Sequence, residues 1–253
     1  MSRLESIRRI SPFGFAGRLI RLPLRLVPRN AVVPVLTGIN RGMRWIAGAS
    51  STNSSWIGIY EFDHMAALQK LVKPGMVVYD IGANAGYYTL AFSRLVGDSG
   101  RVFAFEPEAR NAYLIRRHIR MNGLQNVTFI QAAVSNTTGM VGFEGAMEKG
   151  KIVAGSAYQV PAISLDDFIA AGNPQPSFIK MDIEGAERLA LDGTRSILSL
   201  RQAAWLLATH SAQLRTDCRE VFLRSGYTFR GLDLQNDPGQ SMDFLALPEP
   251  AAA

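Results

Sequence analysis

The stretch Val77-Val78-Tyr79-Asp80-Ile81-Gly82-Ala83-Asn84-Ala85-Gly86 decides the fold. Its first half is apolar and β-branched or aromatic, interrupted only by Asp80, as a strand buried on both faces requires. Five small residues follow. The helix expected next, Tyr87–Val96, places Tyr87, Leu90, Ala91 and Leu95 on one face. Gly82 and Gly86 allow the main chain to approach a ligand without an intervening Cβ. Amides at the helix start attract a carboxylate, and Asp80, ending the strand, can accept from an ammonium group. An amino-acid moiety offers both charges, whereas a dinucleotide pyrophosphate offers only negative ones.

Working outward, Glu106 closes the next apolar run, Val102–Glu106, where an acid binds a ribose diol in comparable sheets. The turn reads G-x-x-x-G, with Asn84 where a dinucleotide fingerprint has its second glycine, which weighs against an NAD(P)-dependent oxidoreductase. A Tyr-x-x-x-Lys dyad near a strand end is missing as well. A cofactor-binding subunit without catalysis is the other alternative. Further strands are expected at Met76–Asp80, Val127–Gln131, Phe178–Asp182, Ala203–Thr209, Tyr227–Gly231 and Met242–Leu247. Helical stretches lie at Pro107–Met121, Gly185–Leu200 and Ala212–Ser225, and Ser164 with Asp167 forms a capping box for Leu165–Ala171. Strands alternating with helices give an α/β fold with a Rossmann-like, mostly parallel sheet. The last two strands lack an intervening helix and should form an antiparallel hairpin.

The 253 residues suffice for one sizeable domain, and 47% hydrophobic with 19% charged residues describes a packed globule. The net charge of +6 is uneven: residues 1–50 hold nine Arg, no Lys and one acid, Glu5, so the remainder sums to −2. A nucleic-acid enzyme carries its basic footprint beside its site, so no nucleic-acid partner is expected. The division is a basic arm and loop, 1–55, and a catalytic domain, 56–253. In the arm, Arg18, Arg21, Arg25 and Arg29 are interleaved with Leu19, Ile20, Leu22, Leu24, Leu26 and Val27, a pattern that suits peripheral contact with an anionic membrane or packing on the core. Pro23 and Pro28 interrupt any helix there. With a single cysteine, Cys218, and no continuous apolar signal segment, a cytoplasmic location is expected.

Several blocks taken in order resemble the FkbM family of methyltransferases: Asp80–Leu90 (DIGANAGYYTL), Phe103–Pro107 (FAFEP), Asn122–Val127 (NGLQNV), Ile163–Phe168 (ISLDDF) and Phe178–Glu187 (FIKMDIEGAE), with Trp56–Glu61 (WIGIYE) upstream. The resemblance implies a seven-stranded class I methyltransferase sheet, S-adenosyl-L-methionine as methyl donor, and O-methylation of a hydroxyl on a sugar, glycan or related small-molecule acceptor. It also implies that Asp80, Gly82, Ala83, Asn84 and Gly86 cradle the methionine end, that Glu106 holds the ribose, and that Gln131–Ala133 flank the adenine. One departure is visible: Ala208-Thr209-His210 stands where relatives often have Glu-x-His.

In Phe178–Gly185 the charges of Lys180, Asp182 and Glu184 alternate with apolar residues, which puts them on one side of a strand's carboxyl end. Methyl transfer to a hydroxyl needs a base and an aligned acceptor. Asp182 or Glu184 can be that base, or either can bind a divalent cation, Asp182 first; Lys180 can stabilise a developing alkoxide. The structural alternative is that Lys180 and Glu184 pair and cap the next helix. His210, ending the next strand, is the best histidine candidate for a general base. His64, beside Glu61 and Asp63, is a weaker candidate for substrate contact, and His118 is expected on a solvated helix face.

Overall fold

The structure, a computed structural model, describes residues 26–145, 150–237 and 239–249. The Arg-Leu pattern of residues 18–25 lies outside them. A hairpin of β1 (Val32–Pro34) and β2 (Arg44–Ile46) leads into α1 (Ser54–Ile57) and α2 (Phe62–Leu71). There follow β3 (Val77–Ile81), α3 (Tyr87–Val96), β4 (Arg101–Phe105), α4 (Ala109–Met121) and β5 (Val127–Ile130). Four short strands come next: β6 (Ala133–Val134), β7 (Gly139–Glu144), β8 (Lys151–Ile152) and β9 (Gln159–Ile163). The chain closes with α5 (Leu165–Ala170), β10 (Phe178–Met181), α6 (Glu187–Asp192), α7 (Arg195–Leu200), β11 (Ala204–Ala208), α8 (Ala212–Arg224), β12 (Tyr227–Arg230) and β13 (Asp243–Pro248).

The main sheet runs β12-β13-β11-β10-β3-β4-β5, parallel except for β13, which is antiparallel to both its neighbours. Alternation along the strands feeds two cores. Val78, Val102 and Leu206 pack with the hairpin, α2 and α3; Tyr79, Ile81, Phe103 and Trp205 pack with α5 to α8. The antiparallel relation of β12 and β13 is as expected, but β13 inserts between β11 and β12 instead of lying outside.

Three features depart from the sequence reading. The helix expected over Gly185–Leu200 is two helices broken at Gly193–Thr194. A Cβ on Gly193 would lie 2.4 Å from the Ser135 carbonyl oxygen, and Asp166 accepts from the amides of Arg195 and Ser196, starting α7 anew. Ala190, Leu191, Ile197 and Leu198 all enter the same core, so the apolar period runs through the break. The capping box is half realised. Ser164 accepts from the Asp167 amide, but the Ser164 amide donates to the Thr138 hydroxyl, which donates to Asp167. Residues 133–163 make a second sheet, β6-β9-β7-β8, that the sequence did not announce.

Residues 32–49 belong to the packed body: Val35, Ile39, Trp45, Ile46 and Ala49 are buried in the first core. Polar side chains fasten them to the sheet domain. Asn40 donates to the Tyr87 carbonyl (2.9 Å), Arg94 donates to the carbonyls of Ile39 and Arg41, and Asn122 exchanges two bonds with the main chain of Arg44. The boundary expected at residue 55 therefore falls inside one continuous core. No helix among the described residues is long and apolar enough to cross a membrane.

Candidate active site

The carboxyl ends of β3, β4, β10 and β11 surround two adjoining cavities. The first is walled by the main chain of Gly82–Ala85, by Glu106, and by the apolar side chains of Phe105, Ala132, Ala133, Val134, Phe143 and Ile152. The glycines there answer to packing as well as to a ligand. Gly82 has φ +76, and a Cβ on it would meet the Asp182 carbonyl oxygen at 1.9 Å; one on Gly86, φ +93, would meet Ile115 at 2.8 Å. Asn84 also has positive φ (50°); its amide donates to Glu106 (2.9 Å) and its side chain accepts from the Ala85 amide (2.6 Å). Glu106 also accepts from the Glu108 amide (2.9 Å), yet burial pushes its carboxyl up to about 7.

Asp80 and Gln131 sit differently from their expected roles. Asp80 is fully buried beneath the turn, where one oxygen accepts from Thr89 (2.6 Å) and Lys180 is its direct neighbour in register. Burial raises its carboxyl, and Lys180 partly offsets this. It supports the turn and is not part of the cavity wall. Gln131 accepts from Arg116 (2.9 Å), outside the first cavity, and leaves Ala132 and Ala133 as its wall.

The second cavity is lined by Glu61, His64, Thr209, His210 and Asp243. Tyr60, Asn84, Tyr88, Lys180, Asp182 and Glu184 line both cavities and so mark their junction. Lys180 donates to the Gly82 carbonyl (3.0 Å), lies 3.6 Å from Asp182, and stands over the Tyr88 ring. Burial works against its charge, but Asp182, Asp80 and Glu61 outweigh it and hold the ammonium above its ordinary value. Glu184 does not pair with Lys180 and does not cap the next helix. It faces His210 at 3.4 Å, and the amides of Ile183 and Gly185 donate to Glu187 instead.

His210 lies 3.1 Å from Glu187 through Nδ1, and 3.4 Å from both Asp182 and Glu184 through Nε2. The bond to Glu187, with the surrounding carboxylates, raises it to about 9 despite burial. The raised pKa favours the imidazolium, which faces Asp182 and Glu184 as a hydrogen-bond donor. Asp182, Glu184 and His210 bring ligating atoms within 4.8 Å of one another.

Of the far walls, sequence reasoning named His64 as a weaker candidate and missed Tyr88, Asp243 and Trp45. His64 sits 3.4 Å from Asp243; burial alone would lower its pKa, but Asp243 and Glu61 outweigh that and raise it. Tyr88 donates its hydroxyl to Glu61, whose positive φ of 44° opens α2. Asp243 lies 61 residues past Asp182, and nothing local marks it. Trp45 of the hairpin reaches the first cavity. It stacks on His118 at 4.0 Å between centroids, 7° from parallel. His118, expected in solvent, is fully buried: Nδ1–H donates to the Ala85 carbonyl (2.7 Å), and Nε2 accepts from the Ile46 amide (3.0 Å). Burial lowers its pKa to about 4, so it stays neutral in that tautomer.

The first cavity thus joins a small-residue turn, a buried carboxylate and apolar walls, and residues 80–215 match the methyltransferase FkbM domain over more than half of the chain. The chain belongs to the FkbM methyltransferase family. An FkbM methyltransferase structure from Methylobacillus flagellatus aligns with 79% of this chain and 56% of its own at a TM-score of 0.52 and 19% identity, which supports a class I methyltransferase fold of the Rossmann-like type. A ribosomal protein L11 methyltransferase of Caldanaerobacter subterraneus is 31% identical over 65 residues, 26% of this chain. A probable cobalt-precorrin-6B C(15)-methyltransferase of Saccharolobus solfataricus is 31% identical over 103 residues, 37% of this chain. The chain spans one fifth and about half of the lengths of these two relatives (20% and 52%). Membership of a methyltransferase family removes the oxidoreductase alternative.

Proposed function

We propose that the protein transfers the methyl group of S-adenosyl-L-methionine to a hydroxyl of a neutral, polyhydroxylated acceptor such as a sugar, glycan or related metabolite. The observation that carries this reading is the junction of the two cavities at Tyr60, Asn84, Tyr88, Lys180, Asp182 and Glu184. The donor supplies an electrophilic methyl on its sulfonium. The residues fit such a molecule: Gly82–Ala85 present main chain to its amino-acid end, Glu106 offers both oxygens to a ribose diol, and Ala132, Ala133, Phe143 and Ile152 suit a flat apolar ring.

On the other side, the carboxylates of Glu61, Asp182, Glu184 and Asp243 face the acceptor cavity and accept hydrogen bonds from hydroxyls. The same carboxylates disfavour phosphorylated acceptors. Asp182 lies at the junction and removes the hydroxyl proton. Lys180, held in place by the Gly82 carbonyl, steadies the oxygen as charge develops on it. His210, charged and anchored by Glu187, orients Asp182 and Glu184.

The clustered ligating atoms of Asp182, Glu184 and His210 favour a second reading, in which a divalent cation acidifies the hydroxyl. Incubation with methyl-labelled donor and separated glycan, metabolite, RNA and protein fractions of a host extract tests the main proposal. Label is expected in hydroxyl-bearing glycans or metabolites; label confined to RNA or protein overturns it. Activity lost to EDTA and restored by Mg²⁺ would select the cation reading.

A further inference from the structure

The block Trp56–Glu61 (WIGIYE) joins α1 to α2. Trp56 is buried in the first core. Gly58 ends α1 with φ +92, and Glu61 opens α2 with φ 44. Ile59 and Tyr60 are therefore the whole link, clasped between two left-handed residues of which only one is glycine. That fixes where Tyr60 stands. Its ring, partly buried, packs on the first core and meets the Tyr87 ring at 5.3 Å between centroids, 80° from parallel. Tyr87 is the first residue of α3, directly after Gly86. The link thus sets an aromatic ring against the exit of the small-residue turn.

Tyr60 also lines both cavities. A donor lying along the turn must bring its sulfonium to their junction, because the methyl group passes from one cavity to the other. One aromatic face at the junction already receives a cation: the Lys180 ammonium stands over the Tyr88 ring, 5.0 Å from its centroid. The carboxylates there face cationic side chains of their own. Asp182 lies 3.6 Å from Lys180, and both Asp182 and Glu184 lie 3.4 Å from His210. The Tyr88 hydroxyl is committed to Glu61. The second ring of the junction, Tyr60, stands against the residue that leaves the turn. A ring face attracts a cation without carrying a charge itself.

We propose that Tyr60 holds the donor's sulfonium against the face of its ring and so favours the charged donor over the neutral product. The inference rests on the reading of the first cavity as the donor's, and not on which acceptor the second one takes. The attraction of a cation to an aromatic face is electrostatic and strengthens where water is excluded. In methyl transfer the acceptor's electron pair forms the new bond to the methyl carbon, and the sulfur–methyl pair returns to sulfur. What remains is a thioether without charge. The attraction to Tyr60 ends with that step, so the product leaves with one contact fewer than the donor had on arrival.

Calorimetry on the full chain tests this, with S-adenosyl-L-methionine and S-adenosylhomocysteine as ligands and no acceptor added. The readout is the ratio of the two affinities, donor over product. Tyr60→Leu should lower that ratio about fivefold, with S-adenosylhomocysteine affinity kept within about twofold. Tyr60→Phe, which keeps the ring, should leave the ratio as in the wild type. A trifluorinated phenylalanine in place of Tyr60 keeps the shape and drains the negative face of the ring. It should lower the ratio as Leu does, and it decides the matter if the Leu chain fails to fold. An unchanged ratio in the fluorinated variant overturns the proposal, as does an equal loss in the Phe and Leu variants, which would assign the effect to the hydroxyl. A wild type that binds neither ligand would overturn the donor reading itself, and this inference with it.

Discussion

The turn of residues 82–86 and the hairpin of residues 32–46 both border the first cavity, but they are held by different means. The turn is built from its own neighbourhood: β3 enters it, α3 leaves it, and Gly82 packs against the end of the adjacent β10. The hairpin has two three-residue strands and is positioned from a distance, by Asn40 on Tyr87, Arg94 on Ile39, Asn122 on Arg44, and Trp45 against His118. One region is specified by conformation, the other by polar side chains that bridge it to α3 and α4. Damage to the turn should therefore be severe and local. Damage to the hairpin should be milder and should show in stability alone.

The harshest test of the turn is Gly82→Ala. With φ at +76° and a Cβ 1.9 Å from the Asp182 carbonyl oxygen, it should lose more than about 3 kcal/mol of stability, read as a fall in the urea midpoint. An unchanged midpoint would mean that β3 and β10 can part there freely. Next, Asp182→Asn should lower turnover about 10²-fold, with S-adenosylhomocysteine affinity by calorimetry changed only a few-fold. Near-normal turnover would move the base to Glu184 or His64.

The hairpin is tested at His118, where the two bonds can be separated. Asn places an amide donor near Nδ1 and keeps the Ala85 bond; Gln places an amide oxygen near Nε2 and keeps the Ile46 bond. Each should cost roughly 1–2 kcal/mol in stability. Only Gln should also weaken S-adenosylhomocysteine binding, and equal weakening by both would break the distinction between turn and hairpin. A pH series adds a second readout. His118 in the folded chain resists protonation down to about pH 4, whereas the unfolded chain takes up that proton below about 6.5. Stability contributed here is thus full above that value and lost as pH falls toward 4, and both variants should lack this component.

The smallest effect belongs to Glu106. Burial keeps its carboxyl protonated up to about pH 7, and the ionised form is the stronger acceptor for two ribose hydroxyls. S-adenosylhomocysteine affinity should rise less than tenfold between pH 6 and 8 in the wild type and stay flat in Glu106→Gln. A wild-type affinity independent of pH would detach Glu106 from the ribose.

What could be read in advance follows the same division. Glu106 and the junction residues Lys180, Asp182 and Glu184 end apolar strands, and strand ends are visible in a linear pattern. Asp80 was visible too, but its burial depends on Lys180 arriving beside it from a strand a hundred residues later. The Gly139–Ile163 strands are two to six residues long and lack a sustained alternation, so nothing marked them as a sheet. His118 lies among arginines in Arg116–Arg120, and that company made a buried latch look like a solvated face.

The place of β13 has a consequence for how the protein is made. The strand lies between β11 and β12, although both are synthesised before it. Until residues 243–248 leave the ribosome, the edge of β11 stands with its amides and carbonyls unanswered, and β12 has no neighbour to join. An open, apolar edge such as Trp205-Leu206-Leu207 invites pairing with another nascent chain. Synthesis halted before residue 243 should therefore release a fragment with six of seven strands made, whose fate is aggregation at β11.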